Sequence, residues 1–405
     1  MEKAKNSMNR RSFLKGIAIA GVAVGATSGS STSAETRPST PKDSVTLREK
    51  FFGCIAGCHI GSSMGAAVEG SSWQSIEEKY GTLDKLLPYH HYRATSKWVR
   101  EPGTTEDGVE RQKLMITAII EKKDRVNAED VRRIWLRDIK PESAGNVSEP
   151  FEADLLAMAK TAIPASDLGK YCDYSGLVSL SRSCHPIGLI NAGDIEGAID
   201  DVYEVGQLYN TANSRGIQWA TVTAVAIAAG ARPGATVDSV LGAIFDNCDR
   251  TDRRSRKEAG VVREIDRALK ATANCKDFRE MRKTFDTIYT GAGMPYAFSY
   301  ANEVVSKAVC VFRMVKGDPM EAMIAAVNMG RDTDCLASIS VGISGALSGG
   351  GSIRQDLIEQ VDRATKLNIY TNSQRTLRET SDGLYEAFKA RLRKMKTYVE
   401  EMNLA

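Results

Sequence analysis

Apolar residues recur every three to four positions along most of the chain, and this spacing predicts helices. The stretch 303–316 shows the pattern clearly, with apolar residues at positions 304, 305, 308, 309, 312 and 315. Similar stretches lie at 110–123, 192–206, 217–230, 235–246 and 377–398. The alternation of apolar and polar residues that marks half-buried strands is almost absent. The pattern therefore predicts an all-α fold, built as a single compact multi-helix bundle.

One helix start can be predicted to the residue. Gly317 ends the helix over 303–316, and Asp318-Pro319-Met320-Glu321 follows it. Asp is a favoured N-cap residue, Pro is tolerated at the first helical position, and Glu at the third position completes a capping box. We therefore expect a new helix to begin at Pro319 and to run to Gly330.

The first helix of the predicted domain carries Gly53, Gly57, Gly61 and Gly65, spaced four residues apart. Glycine inside a helix costs about 1 kcal/mol relative to alanine. Four glycines on one face therefore indicate that another backbone or a ligand comes close. Helix packing is the expected reason at Gly53 and Gly57, whereas a site is expected near Gly61 and Gly65, which Glu69 follows.

Residues 1–34 are predicted to be a twin-arginine export signal. Arg10-Arg11 precede the apolar stretch 16–26, which is too short for a membrane span, and small residues at 32–34 offer a cleavage site. An uncleaved anchor and an ordinary secretory signal are the alternatives. Residues 35–45, rich in Ser, Thr and Pro, are predicted to be a disordered linker. The helical domain would then span 46–405, exported to the periplasm or another extracytoplasmic compartment without a stable membrane anchor.

Charge and cysteine content exclude two classes of function. The chain has a formal net charge of +3, and residues 1–34 contribute +4, which leaves −1 for the domain. No basic excess remains to bind nucleic acid, so a small-molecule or glycosylated substrate is expected. The chain has 8 cysteines and 4 histidines but no Cys-x-x-Cys, which argues against a zinc site. Most of the cysteines are expected in the core.

Two acidic clusters precede predicted helices. The first contains Thr105-Glu106-Asp107, and the second contains Asp332-Thr333-Asp334. Residues i and i+2 of an extended turn project to the same side, so Asp332 and Asp334 could share a hard cation such as Mg²⁺. Acidic residues at helix starts are more often N-caps, and this alternative stays open for each cluster taken alone.

Taken together, these segments resemble the ADP-ribosylglycohydrolases, the family of the dinitrogenase reductase-activating glycohydrolase. Segment 52–69 resembles the opening helix of the family, 102–107 its Thr-Asp-Asp motif, 325–334 its Gly-Gly-Asp-Thr-Asp motif, and 186–189 with the helix from Trp219 its middle. The resemblance covers about 47–350 in the family's order. It implies an orthogonal all-α bundle and a hydrolase that cleaves an N- or O-glycosidic bond of an ADP-ribosyl or related glycosyl substrate.

The resemblance also implies a magnesium cluster and a set of site residues. Two Mg²⁺ ions, or one, would be held by Thr105, Glu106, Asp107, Asp332 and Asp334. Glu69 and Asp107 would be catalytic, with a carboxylate acting as general base or stabilising an oxocarbenium-like transition state. The expected substrate contacts are Trp98, His185 and Tyr296. Loop anchoring for Trp98 and a structural role for His185 are the alternatives.

The chain departs from the family pattern at several positions. Glu106 stands where Asp is usual, Ser62 replaces a common Asp, and Cys335 replaces a hydroxyl ligand with a thiol, a poor partner for Mg²⁺. Segment 177–183 lacks the glycines that cradle the nucleotide in the family. Two further hypotheses follow: a hydrolase of a non-nucleotide glycoside, and a non-catalytic binding protein on the same fold. The retained carboxylates argue against the second.

Overall fold

The computed structural model describes residues 45–90, 99–140, 150–171, 176–212, 214–249, 260–289, 299–367, 371 and 373–403. All of them fall within one unit, Ser44–Ala405. The predicted export signal and linker, up to residue 44, lie outside the described residues, as do Trp98 and Tyr296. Among the helices that are described, none combines the length and the apolar character needed to cross a bilayer.

The described part of the chain is built from seventeen α-helices, so the all-α prediction is confirmed. The first nine are α1 (Leu47–Ala66), α2 (Trp73–Tyr80), α3 (Asp107–Lys122), α4 (Ala128–Asp138), α5 (Pro150–Ala159), α6 (Ser179–Ser183), α7 (His185–Ile190), α8 (Ile195–Gly206) and α9 (Arg215–Gly230). The other eight are α10 (Val237–Asn247), α11 (Val261–Ala271), α12 (Phe278–Ile288), α13 (Ala301–Met314), α14 (Pro319–Val327), α15 (Thr333–Ser348), α16 (Gln355–Ala364) and α17 (Leu377–Glu401). Two short strands, β1 (Tyr89–His90) and β2 (Val99–Arg100), pair antiparallel.

The predicted helix start at Pro319 is confirmed. The Asp318 carboxylate accepts a hydrogen bond from the backbone N–H of Glu321 at 2.9 Å, as an N-cap does. Helix α14 ends at Val327, before the predicted Gly330, and the chain then turns through positive φ at Gly330 (77°) and Arg331 (68°). Helix α15 then begins at Thr333.

Helices α1 and α15 pack against each other along the glycine stripe at the centre of the fold. A Cβ atom added at Gly53 would lie 2.2 Å from the Gly349 carbonyl carbon, and one at Gly57 would lie 2.9 Å from the Val341 oxygen. The close approach is mutual, because a Cβ at Gly345 would lie 2.1 Å from the Gly53 oxygen. The packing predicted at Gly53 and Gly57 is confirmed.

We call the packing contact between α1 and α15 along the glycine stripe the α1–α15 seam. Its end at Gly61 and Gly65 supports the second acidic motif. A Cβ at Gly61 would lie 3.1 Å from the Ala337 oxygen, which is again helix packing. A Cβ at Gly65 would lie 2.6 Å from the Asp334 Cα, and the Thr333 hydroxyl donates to the Gly65 oxygen at 2.8 Å. The missing side chain of Gly65 therefore lets the turn into α15 lie directly against α1.

The cysteines are core residues, as predicted. All seven that the structure describes are free thiols, and all but the half-buried Cys275 are buried. Cys172 lies outside the described residues.

Candidate active site

Three chain segments bring carboxylates together. Glu69 lies in the turn after α1, Glu106 and Asp107 lie at the start of α3, and Asp332 and Asp334 lie at the start of α15. We call these five residues the acidic cluster. Charge interactions of Glu69 with Asp107, Asp332 and Asp334 connect the three segments.

Backbone hydrogen bonds hold the turn that carries Glu69 beside the turn into α15. The N–H of Gly70 donates to the Arg331 oxygen at 2.8 Å, and the N–H of Arg331 donates to the Ser71 oxygen at 2.8 Å. Because these bonds join backbone atoms, they hold residue 69 next to residue 332 independently of side-chain conformation. The turn that carries Glu69 and the second acidic motif therefore lie side by side.

Asp332 and Asp334 fit a divalent cation. Their carboxylates and the Cys335 thiol each offer a ligand atom, and these atoms lie within 4.8 Å of one another. Asp332 is 3% exposed and Asp334 is 2% exposed. Asp332 Oδ2 and Asp334 Oδ1 have no hydrogen-bond partner among the described groups. Buried carboxylate oxygens without partners are rare in proteins, and Mg²⁺ prefers ligands of this kind.

Their placement corrects one detail of the sequence interpretation. Asp332 and Asp334 do not lie in an extended turn: Asp332 is the N-cap of α15, and Asp334 lies in the first turn of that helix. Asp332 Oδ1 accepts a hydrogen bond from the N–H of Cys335 at 3.3 Å. The ligand atoms of the two carboxylates nevertheless lie within 4.8 Å of each other, because Asp332 is the non-helical N-cap residue and Asp334 lies inside the first turn.

Burial and mutual repulsion disfavour the charged forms in this cluster. Burial and then the charge of Asp332 raise the pKa of Asp334 well above its ordinary value. Burial also raises the pKa of Asp332. The pKa of Glu69 is raised well above its usual range by burial and then by Asp334 and Asp332. Since Glu69 is the partly exposed member of the cluster, it can exchange protons with a bound molecule.

Glu106 is the N-cap of α3 as well as a member of the cluster. One carboxylate oxygen accepts from the Ser62 hydroxyl at 2.6 Å and from the N–H of Val109 at 3.0 Å. The other accepts from the N–H of Gly108 at 2.5 Å. Burial raises the pKa of Glu106 to about 8. Ser62, which replaces a common family Asp, thus supports the longer Glu106 side chain.

The structure does not bring the Thr105 hydroxyl into the acidic cluster. This hydroxyl donates to Glu110 Oε1 at 2.5 Å and accepts from the Lys113 ammonium at 2.8 Å. The same ammonium donates to Glu110 at 2.9 Å. Thr105 therefore belongs to a separate buried ion-pair network in this arrangement, and Asp107 is the member of the first motif that faces the cluster together with Glu106.

Arg182 enters the cluster, and the sequence analysis did not select it. It lies on the short helix α6 and donates to Asp107 Oδ2 at 2.5 Å, to Glu106 Oε2 at 3.1 Å and to the Cys335 sulfur at 3.3 Å. Arg111 also donates to Asp107 Oδ2. A signal was present, because Arg182 is the sole arginine between 137 and 215 and stands in an apolar segment. A buried arginine requires acidic partners.

The surroundings of His185 favour the structural alternative over substrate contact. His185 is 0% exposed and lies against the backbone of Gly342. The Gln112 side-chain amide lies 3.1 Å from Nδ1, and Nε2 lies 3.0 Å from the Ser338 oxygen. Gln112 also contacts His59 Nε2 at 2.9 Å. His185 therefore belongs to a polar layer beneath the acidic cluster. Trp98 and Tyr296 remain predictions, since both lie outside the described residues.

Comparison with known proteins agrees with this arrangement. A family model described as ADP-ribosylglycohydrolase matches residues 43–393, a stretch that contains both acidic motifs. The chain is 23% identical over 330 residues to "Uncharacterized protein YegU" of Escherichia coli (strain K12), covering 79% of this chain and 94% of that protein. It is 24% identical over 302 residues to an uncharacterized protein of Archaeoglobus fulgidus, covering 74% and 88%.

A solved structure has the same fold. The chain matches an "ADP-ribosylglycohydrolase-related protein complex" with a TM-score of 0.57 and 14% identity, over 85% of this chain and 98% of that one. At this identity the likeness supports the fold alone. The family model, by contrast, spans most of the chain, and it includes every member of the acidic cluster. The protein therefore belongs to the ADP-ribosylglycohydrolase family.

Proposed function

We propose that this protein is a magnesium-dependent glycohydrolase that cleaves the N- or O-glycosidic bond of an ADP-ribosyl or related glycosyl compound. The observation that carries the proposal is the position of Glu69. It is partly exposed at the edge of four buried carboxylates, and burial and then Asp334 and Asp332 raise its pKa well above the usual range. A carboxyl group with these properties suits general acid–base catalysis of glycoside cleavage.

The members of the cluster have different roles in this proposal. Glu69 donates a proton to the leaving group and accepts one from the attacking water, while Asp107 contributes negative charge beside the oxocarbenium-like sugar. Asp332 and Asp334 would hold a divalent cation such as Mg²⁺, which when bound would orient sugar hydroxyls and polarise a water. Glu106 caps α3 and thereby fixes the backbone that carries Asp107.

A glycoside without a nucleotide is the second candidate substrate. In place of a glycine-rich loop, this chain has an apolar segment that leads into α6, and Leu177, Val178 and Leu180 are buried in it. These buried apolar side chains stand where the glycine backbone of the family would cradle a phosphate. This segment favours the smaller substrate, whereas family membership favours the ADP-ribosyl one.

The proposal is tested by assaying the purified full chain with Mg²⁺ on ADP-ribosylated arginine and serine peptides and on nitrophenyl ribosides. Glu69→Gln is expected to lower kcat by about 10²–10⁴-fold, the usual contribution of a general acid–base group. Glu78→Gln, an exposed glutamate on α2, is the matched control and is expected to retain full activity. Tight binding of these compounds without turnover by the wild type would instead support the non-catalytic binding protein.

Export is part of the proposal. The twin-arginine pair and the short apolar stretch in residues 1–34 support a periplasmic or other extracytoplasmic location. Glycosides that reach that compartment, rather than cytoplasmic ADP-ribosylated proteins, would then be the accessible substrates. This argument and the apolar segment before α6 favour the glycoside without a nucleotide for two independent reasons.

A further inference from the structure

The guanidinium of Arg182 lies between the two acidic motifs. Its Nη2 donates to Asp107, and its Nη1 donates to Glu106 at 3.1 Å and approaches Asp334 Oδ2 at 3.5 Å. Nη1 also donates to the sulfur of Cys335 at 3.3 Å. Arg182 is 5% exposed, so these contacts are made away from solvent. A single fixed positive charge therefore contacts both motifs.

The rest of the fold is shaped to receive this side chain. A Cβ atom at Gly108 would lie 2.6 Å from Arg182 Cδ and Nε, so the bare backbone of α3 provides the space for the guanidinium. The Arg182 carbonyl accepts from the Ser338 hydroxyl at 3.3 Å and from the Gln112 amide at 3.4 Å. Groups from α3 and α15 thus hold both ends of the residue.

The positive charges are distributed unevenly over the cluster. Arg182 and Arg111 both donate to Asp107, so the first motif already has cationic partners. The second motif keeps Asp332 Oδ2 and Asp334 Oδ1 without partners in the described structure. A divalent cation placed at Asp107 would meet two fixed guanidiniums, whereas one placed at Asp332 and Asp334 would meet only that of Arg182, at a longer distance. One placed at Asp332 and Asp334 would supply the missing partner for both oxygens.

We propose that Arg182 takes the place of a metal ion at the first acidic motif, so that the protein binds one divalent cation, at Asp332 and Asp334. The proposal rests on the proposed function, since it concerns the cation complement of the same site. Cys335 agrees with it, because a thiol that accepts from a guanidinium does not have to serve as a ligand of a hard cation. The guanidinium of Arg182 thus supplies the positive charge at the first motif and positions Asp107.

The test is to titrate Mn²⁺ into the chelator-stripped full chain and to follow stoichiometry by calorimetry and spin coupling by electron paramagnetic resonance. The wild type is expected to bind one Mn²⁺ with the spectrum of an isolated ion. Arg182→Met removes the positive charge but keeps an unbranched side chain, and it is expected to bind two Mn²⁺ ions that couple magnetically. Arg182→Lys keeps the charge and is expected to bind one.

Two further variants separate this inference from a folding defect. Arg391→Met removes another buried arginine, which pairs with Asp194 at 2.7 Å outside the cluster, and is expected to keep one Mn²⁺. If Arg182→Met does not fold, Gly108→Ala serves in its place. Its new methyl group would push the guanidinium away and is expected to admit the second ion.

The outcomes distinguish the inference from the proposed function. Two Mn²⁺ ions in the wild type, or one in both the wild type and Arg182→Met, would overturn the inference and leave the hydrolase proposal intact. No Mn²⁺ in the wild type would overturn the inference and the metal dependence together. Loss of turnover in Glu69→Gln tests the hydrolase proposal independently of the ion count.

Discussion

Two acidic residues at the site each have two roles. Asp332 caps α15 with Oδ1, while its Oδ2 has no partner in the described structure and is available to a cation. Glu106 caps α3 and also accepts from Arg182. The sequence left capping and metal binding as alternatives. In Asp332 the two oxygens have different surroundings, so one carboxylate can cap the helix and stay available to a cation.

The residues whose surroundings the sequence could not show depend on tertiary contacts. The motif around Thr105 predicted a hydroxyl in the acidic cluster, but this hydroxyl forms hydrogen bonds with Glu110 and Lys113 instead. His185 stands next to an unusual loop, yet it packs against Gly342 in the core. Arg182 contacts Asp107 and Asp334, which lie 75 and 152 residues away in the sequence. No local sequence pattern predicts contacts between residues so far apart in the chain.

The buried histidines predict a loss of stability in acid. Burial lowers the pKa of His59 to about 3 and that of His185 to about 4, whereas an unfolded histidine titrates near 6.5. The unfolded chain therefore binds more protons as the pH falls, so stability present above pH 6.5 is lost towards pH 4. Each histidine is expected to cost up to about 1.4 kcal/mol of unfolding free energy per pH unit in this range.

Urea denaturation at a series of pH values measures this effect. His185→Gln is expected to show a shallower decline between pH 6.5 and 4 than the wild type. His90→Gln, which changes an exposed histidine on β1, should keep the wild-type slope. Equal slopes in all three proteins would show that the buried imidazole does not control acid stability.

Among the helices, the α1–α15 seam determines where the site forms. The glycine stripe was visible in the sequence, and close packing was the expected reason for its first two members. The sequence could not show that the partner of the stripe is the helix that begins with the second acidic motif. Because the seam ends at Gly65, the turn with Asp334 lies against the turn with Glu69.

Substitution at the seam should be costly. In Gly345→Ala the new Cβ would lie 2.1 Å from the Gly53 oxygen, and a backbone atom cannot move aside as a flexible side chain can. We expect a loss of about 1–3 kcal/mol in unfolding free energy, the usual cost of overpacking. Gly242→Ala in α10 is the matched control, since nothing lies within 4 Å of its Cβ.

The control should change stability in the opposite direction. Alanine is a better helix former than glycine, so Gly242→Ala is expected to gain about 0.5–1 kcal/mol. Both values are read from urea denaturation midpoints. A Gly345→Ala protein as stable as the wild type would contradict the close packing of α1 on α15.

For the whole molecule, sequence periodicity and motif order predicted most of the architecture. The all-α class, the helix start at Pro319 and the family were predictable, because helix periodicity and capping are local and the motifs occur in family order. The two acidic motifs contain four of the five cluster carboxylates, and the family resemblance named the fifth, Glu69. Which residues neutralise them was not predictable, since that depends on how α3, α6 and α15 meet.

The export that residues 1–34 predict concerns the whole chain and is tested separately. Replacing Arg10 and Arg11 by lysine is expected to stop export, because the twin-arginine pair is the feature that such a signal presents. Lys3→Arg is the matched control and should be exported normally. Cell fractionation measures the distribution, and unchanged export of the double variant would contradict the twin-arginine interpretation.

The most direct test of the account is a calorimetric titration of the chelator-stripped protein with Mg²⁺. Asp332 and Asp318 make a matched pair, since each caps a helix and one alone belongs to the acidic cluster. Asp318→Ala should lose about 1 kcal/mol of stability as a missing N-cap and still bind Mg²⁺ like the wild type. Asp332→Ala should lose the binding. Equal Mg²⁺ affinity in all three proteins would contradict a cation site at Asp332 and Asp334.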